Sequence, residues 1–393
     1  MMFANLQLEP KNIPLSLYIH IPWCIKKCPY CDFNSHSLPD QAPFDAYVDA
    51  LLADAKSQLS FVQGRKIDTV FIGGGTPSLL PVQQFRRLFA NLRSMYDFSA
   101  TCEMTLEVNP GTLEHAPFEE YLNIGINRLS IGVQSFDAQA LHDLGRIHNP
   151  QQAANAIYAA KNAGFGRVNV DLMYGLPEQT PQKAVQDITT TLQAGATHLS
   201  WYQLTIEPNT AFYRTPPTLP CEEVLTQIEA DGRDLLHGQG FENYEVSAWV
   251  GLADRPCQHN LNYWQFGDYL AIGAGGHAKI TLHNHHQYPD GIYRYQKSRL
   301  PKDYLNYTEA PKLINLERVS DENLPFEFMM NALRLRQGVS TTVFEQRTGL
   351  LVSSIDNEML PLQHQGLMVN DPLKIAPTPL GFRYVNHLVS KFL

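Results

Sequence analysis

Tyr18-Ile19-His20-Ile21-Pro22-Trp23-Cys24-Ile25-Lys26-Lys27-Cys28-Pro29-Tyr30-Cys31 runs from an apolar segment straight into three cysteines. The β-branched, apolar run at 15–21 (LSLYIHI) predicts a strand. The cysteines follow it with the spacing Cys-x3-Cys-x2-Cys. Three thiolates on a short loop suit three irons of a cubane cluster and leave the fourth iron without a protein ligand. An open metal position suits chemistry on a bound molecule, whereas a plain electron carrier supplies four cysteines. Zinc would need a fourth ligand, for which His20 or His36 stands near. Chance crowding of structural cysteines is the third reading. The remaining cysteines, Cys102, Cys221 and Cys257, are scattered, and six in 393 residues are too few for a disulfide scaffold. A tight group in a reducing compartment reads as a metal or redox site.

Downstream, further apolar runs recur at 69–73 (TVFIG), 103–108 (EMTLEV), 128–133 (RLSIGV), 168–173 (VNVDLM) and 198–206 (HLSWYQLTI). Between them, 44–58, 81–95, 151–162 and 181–194 carry helical periodicity. Strands alternating with amphipathic helices predict βα units around a parallel sheet, an α/β fold. The polar motifs fall at or just after the C-terminal ends of the strands. That is the catalytic rim of a βα barrel and equally the ligand edge of an open sheet.

After Glu207 the pattern changes: PNTAFYRTPPTLP is loop-like, 222–238 reads as a helix and 244–249 as a short strand. From about residue 301 a small unit begins, with helices at 324–335, 342–347 and 378–393. The expected division is 1–210, 211–300 and 301–393. The last piece has a winged-helix-like order of elements. Its helices carry few basic residues, so packing or a lid is expected of it rather than DNA binding.

A length of 393 residues allows one large domain and a smaller one. The net charge of −9 argues against a general nucleic-acid binder. The N-terminus lacks the regions of a signal peptide, and no apolar run approaches the ~18 residues of a membrane span. A cytoplasmic location is expected, with at most peripheral visits to the membrane.

YIHIPWCIKKCPYCDF resembles the radical SAM superfamily and, more narrowly, the oxygen-independent coproporphyrinogen III oxidase family. The resemblance implies a partial (βα)6 barrel of the TIM type with a [4Fe–4S] cluster on Cys24, Cys28 and Cys31 at its open mouth. It also implies S-adenosylmethionine (SAM) at the open iron, split after delivery of one electron. Gly73-Gly74-Gly75-Thr76-Pro77 resembles the family's motif for the SAM amino group, which carries over Gly74, Gly75 and Thr76. Consecutive glycines also let a backbone approach a ligand closely. By the same similarity Glu107, Gln134, Arg146 and Asp171 contact SAM, or a second SAM in the oxidases, and Tyr18 and Tyr30 line the pocket. A lone buried carboxylate is as readily half of an internal ion pair. Four polar residues after successive strands point to a shared ligand.

Two branches of the family separate here. The oxidases carry a further cysteine at the end of the motif, where this chain has Asp32 and Phe33. They also carry a longer N-terminal arm, whereas 17 residues precede Tyr18 here. His259-Asn260-Leu261-Asn262-Tyr263-Trp264 resembles the HNxxYW motif of the heme-chaperone (HemW) branch. A histidine ligates heme iron and aromatic rings pack on a porphyrin, so His259, Tyr263 and Trp264 are the expected heme contacts. His277, in IGAGGHAKI, stands open, and His283, His285 and His286 read as a solvated loop rather than a metal site. The resemblance implies heme as cargo, respiratory-chain acceptor proteins, a low-potential electron donor and a homodimer. The competing expectation is a coproporphyrinogen III oxidase, which decarboxylates two propionates. A radical SAM enzyme with another substrate is the third.

Overall fold

The computed structural model describes residues 6–111, 115–308 and 314–393. Six strands lie side by side and parallel: β1 (Leu15–Ile21), β2 (Ile67–Gly74), β3 (Phe98–Val108), β4 (Arg128–Gln134), β5 (Arg167–Tyr174) and β6 (His198–Gln203). Their spatial order is their chain order. A doubly wound sheet reverses its order at a switch point. Right-handed crossovers in unbroken sequence keep the helices on one face, as in a barrel. The crossovers are α1 (Phe44–Ser57), α2 (Val82–Met95), α3 (Phe118–Ile124), α4 (Ala138–Asp143), α5 (Pro150–Asn162) and α6 (Pro181–Gln193).

Local chemistry explains several of these elements. The α5 helix starts on a capping box between Asn149 and Gln152, with Pro150 in its first turn. Thr180 caps α6 through the Lys183 amide. Leu17, Ile19, Leu106, Ile131 and Val170 are fully buried in the main core.

The sheet continues beyond six strands at both edges. Past β6 lie the antiparallel β8 (Ala248–Gly251) and then β7 (Phe241–Asn243), reached through α7 (Glu222–Gly238). Past β1 lies the parallel β9 (Asp268–Ile272), preceded by α8 (Gln258–Trp264). The antiparallel β10 (His277–Leu282), β11 (Gly291–Gln296) and β12 (Ile314–Arg318) follow. A second core gathers Phe266 and Ile292 with Phe328, Phe344, Leu362 and Leu388. It joins the C-terminal helices α9 (Leu324–Ala332), α10 (Thr341–Thr348) and α11 (Asp356–His364) to the sheet extension. One two-residue strand pair, Val339–Ser340 with Lys374–Ile375, accompanies them.

Three sequence expectations change. The strand expected at 244–249 is two strands, because Asn243 Nδ2 donates to the carbonyls of Glu245 and Ala248 and closes a turn between them. The strand expected at 198–206 ends at Gln203. The expected terminal helix at 378–393 is broken into Pro379–Arg383, Val385–Val389 and a final 3-10 turn, because Tyr384 leaves helical geometry at φ −117°, ψ 34°.

Candidate cluster and ligand site

β1 ends at Ile21, and Trp23–Cys24 then pairs with His36–Ser37, closing a loop over the three cysteines. The His36 amide donates to the Pro22 carbonyl at 2.7 Å and the Leu38 amide to the Cys24 carbonyl at 2.9 Å. Trp23 anchors the base of this loop, with its ring 4.7 Å from that of Tyr47. All three cysteines are free thiols of intermediate exposure. Burial raises the Cys24 thiol to about 11, and the neighbouring Cys31 and Cys28 add to the rise. Arg146 Nη1 lies 3.6 Å from Cys28 Sγ, while Nη2 donates to the Gly132 carbonyl and to Asn109 Oδ1. That guanidinium ties the cysteine loop to β4.

The glycine turn does something that its sequence does not announce. The Gly75 amide donates to the Ile21 carbonyl at 2.8 Å and the Thr76 amide to the Trp23 carbonyl at 2.7 Å. The Gly74 amide donates to Glu107 at 3.2 Å. These three amides are therefore spent on the protein. A Cβ at Gly75 would sit 2.5 Å from the Trp23 carbonyl oxygen. The glycines let β2 close directly against the cysteine loop.

A cavity of about 580 Å³ opens at the C-terminal ends of the strands, bounded by the cysteine loop. Tyr30, Gly74, Gly75, Thr76, Glu107, Gln134, Arg146 and Asp171 all line it. Glu107 is raised to about 8, chiefly by burial and then by Asp171, against which the Gly74 amide works. Asp171 is also raised by burial, opposed by hydrogen bonds from Asn169 and Ser130. Gln134 takes φ +71° beside a register shift between β4 and β5, and Tyr202 donates to its Oε1 at 2.9 Å. A bulge and a left-handed non-glycine residue at a cavity wall are common where side chains must be re-aimed. Asn109, Ser130, Asn169 and Tyr202 also line the cavity and were not singled out by sequence. Asn109, two residues after Glu107, was the legible one.

A second cavity, of about 550 Å³, lies beside the first across Gly74, Glu107, Asp32 and Phe33. Its other walls are mainly aromatic, with Tyr18, Tyr263, Tyr269 and His277, and carry one cation, Arg299. Tyr18 was expected in the first cavity but lines this one. In the sheet Tyr18 sits between Phe71 of β2 and Ala271 of β9.

Residues 18–190 match the model of the radical SAM superfamily, and residues 319–384 match the HemN C-terminal domain. The chain is 43% identical to the heme chaperone HemW of Haemophilus influenzae, over 98% of this chain and 99% of that one. It is also 43% identical to HemW of Escherichia coli, over 97% and 98%. This chain belongs to the HemW family of radical SAM proteins. Coproporphyrinogen III oxidase of Escherichia coli shares the fold, with a TM-score of 0.81 at 24% identity over 98% of this chain and 91% of that one. A radical SAM domain implies SAM and a [4Fe–4S] cluster. The HemW relatives are matched across essentially their whole length, so the features particular to this chain lie within the family's own frame.

Of the three expected heme contacts on this HemW chain, Tyr263 lines the second cavity, while His259 and Trp264 line neither cavity. His259 is 1% exposed, and both of its ring nitrogens are engaged. Asn262 Nδ2 donates to Ser16 Oγ, which lies 2.7 Å from Thr69 Oγ1, and Thr69 Oγ1 lies 2.7 Å from His259 Nδ1. His259 Nε2 is hydrogen-bonded to the Tyr263 hydroxyl at 2.8 Å. Burial holds His259 neutral, its pKa lowered to about 3. The motif thus places Tyr263 in the cavity wall. Trp264 packs instead beneath Arg334 of the C-terminal part, whose guanidinium lies 4.5 Å from the ring centre. His283 is bonded to Asp290, and His285 stacks with His286. Among the described residues, no three His, Cys, Asp or Glu side chains gather around one point for an ion.

Proposed function

We propose that this chain is a heme chaperone. In this reading it holds a SAM-bound [4Fe–4S] cluster on Cys24, Cys28 and Cys31, accepts heme, and passes it to acceptor proteins of the respiratory chain. One observation carries the reading. A polar cavity bounded by a three-cysteine loop shares a wall with a cavity of similar size lined by Tyr18, Phe33, Tyr263, Tyr269, His277 and Arg299. The full-length match to proteins named heme chaperones supports the choice of cargo.

The residues fit the cluster. Three thiols crowd one loop, and burial raises those of Cys24 and Cys31, a cost that bound iron removes. Among the described residues no three His, Cys, Asp or Glu side chains close on a single point as zinc would need, whereas a cubane takes each thiolate on a separate iron. When bound, the cluster supplies a low-potential electron to SAM. The chain's own groups hold and orient the ligand. Glu107 and Asp171 offer carboxylates to the cationic groups of SAM, Tyr202 fixes Gln134, and Arg146 supports the loop at Cys28.

Glu107 gives this site a pH signature. Its pKa of about 8 means that it holds a proton at pH 7 in the free protein. A bound cation favours the carboxylate, so SAM binding releases close to one proton there and strengthens as pH rises toward 8. Calorimetry in two buffers of different ionisation enthalpy reads this directly. Equal heats in both buffers, or unchanged release in Glu107→Gln, would remove Glu107 from the SAM contacts.

The function itself is tested on one anaerobically reconstituted sample with SAM and a reductant. Saturable heme binding without conversion of coproporphyrinogen III supports a chaperone. Cluster-dependent formation of protoporphyrinogen would restore the oxidase reading. Asp32 and Phe33, where the oxidases place a further cysteine, favour the first result. Gel filtration before and after reconstitution tests dimerisation on cluster loading. Among the described residues no helix is long and apolar enough to cross a membrane.

A further inference from the structure

The second cavity offers a flat molecule aromatic walls and one guanidinium, Arg299, set apart from the carboxyl groups of Asp32 and Glu107 that it shares with the first cavity. Tyr263 and Tyr269 meet edge to face, with ring centres 4.4 Å apart, and Tyr18 stands with Phe71 behind it at 6.4 Å. Phe33, in the cavity wall, is exposed. A volume of about 550 Å³ falls in the ordinary range for cofactor-sized ligands. A molecule that suits these walls is planar, largely apolar and anionic at one edge. A porphyrin with its propionates has that chemistry.

Iron needs a ligand with a free lone pair, and the cavity's polar groups can be counted. His20 Nε2 donates to the Asn34 carbonyl at 2.8 Å, and its Nδ1 accepts from the Tyr18 hydroxyl at 3.0 Å. The Tyr263 hydroxyl is held by His259, and the Tyr269 hydroxyl accepts from Arg294 at 3.0 Å. His277 lines the cavity at the start of β10, is exposed, and makes no hydrogen bond among the described residues. It is the cavity histidine whose ring nitrogens are both uncommitted. Arg299 lies in the same wall with no ion pair among the described residues. Its backbone is fixed because Asn34 Nδ2 and His36 Nε2 both donate to its carbonyl oxygen, at 2.9 and 3.2 Å.

We infer that the second cavity is the porphyrin site, that His277 rather than His259 ligates the heme iron, and that Arg299 takes a propionate. This rests on the heme-chaperone reading. It assigns His259 a positioning role, holding Tyr263 against the porphyrin face. Because Gly74 and Glu107 belong to both cavities, the porphyrin edge lies against the SAM pocket.

The test titrates the full-length reconstituted chain with hemin, followed by absorbance and electron paramagnetic resonance. Wild type saturates with a histidine-ligated spectrum. His277→Ala loses that spectrum and binds at least tenfold more weakly, and added imidazole restores the spectrum. His259→Ala keeps the histidine-ligated spectrum with a smaller loss of affinity. Arg299→Gln weakens hemin several-fold but leaves hemin dimethyl ester unchanged. A wild-type spectrum in His277→Ala, with its loss in His259→Ala, would overturn the ligand assignment. Equal losses for hemin and its ester in Arg299→Gln would overturn the propionate contact. If wild type takes up no hemin, the chaperone reading fails and this inference falls with it. If wild type binds and only these variants behave otherwise, the site assignment alone fails.

Discussion

Replacing Cys24, Cys28 and Cys31 together by serine leaves a folded chain that takes up no more than background iron and sulfide on anaerobic reconstitution. The loop does not depend on the thiols for its shape. Its base is held by the Trp23 ring against Tyr47 and by backbone bonds from His36 and Leu38. The glycine turn clamps it from the other side through the Gly75 and Thr76 amides. Thermal unfolding of the iron-free variant therefore stays close to that of iron-free wild type. Serine oxygen is a poor substitute for thiolate toward iron–sulfur clusters. With the open iron gone, SAM loses its chelate, and its affinity falls by at least about tenfold, or ~1.4 kcal/mol. Cys221→Ser is the control, since Cys221 is exposed and lines neither cavity, and its iron content stays at the wild-type level. Iron analysis and absorbance near the charge-transfer bands check both. A triple variant that still builds a cluster would place the ligands elsewhere.

Asp268→Ala costs ~3–5 kcal/mol of folding stability, the price of leaving buried charges without a partner. Asp268 is fully buried at the start of β9. It pairs with Arg65 at 2.7 Å and with Lys279 at 2.9 Å, and it accepts from the Thr281 amide and hydroxyl. Those partners pull its carboxyl below the usual range despite burial. Lys279 is lowered to about 8 by burial, with Arg347 and Arg294 nearby, so it relies on Asp268 to stay charged. Alanine strands two cations under β1, the strand that carries the chain into the cysteine loop. Asp268→Asn, which can still accept hydrogen bonds, loses less. Urea unfolding measures both, and a loss below ~1 kcal/mol for alanine would show that the cluster of charges is not holding this edge of the sheet.

How far these features were readable in the sequence depends on their range. The parallel strands announced themselves because helices cover one face and a packed interior the other, so their apolar runs are nearly continuous. The sheet extension did not. In β10 to β12 short antiparallel strands alternate polar and apolar residues, as in HAKITL, and that pattern is weak over six residues. The cysteine loop was legible because its ligands sit within one loop. Glu107, Gln134 and Asp171 were legible because strand ends place them on one rim. The glycine turn was half legible: the need for close approach was visible, but the partner, Trp23, was not. The motif 259–264 shows the limit most clearly. Nothing in HNLNYW tells that His259 is sealed between Tyr263, one turn on in α8, and Thr69 of β2, 190 positions away in the chain. Tyr18 likewise changes cavity only once β9 is seen beside β1.

Delivery of cargo is what separates a chaperone from a heme-binding enzyme. The most direct measurement loads the reconstituted protein with heme and incubates it with respiratory membranes prepared from heme-starved cells. Heme-dependent cytochrome absorbance in the membranes is then followed against time. The account predicts that cytochrome absorbance rises as the heme spectrum of the protein decays, and that the cluster-free triple variant transfers far more slowly. Heme that stays on the protein, or transfer equal to that from free hemin, would contradict it.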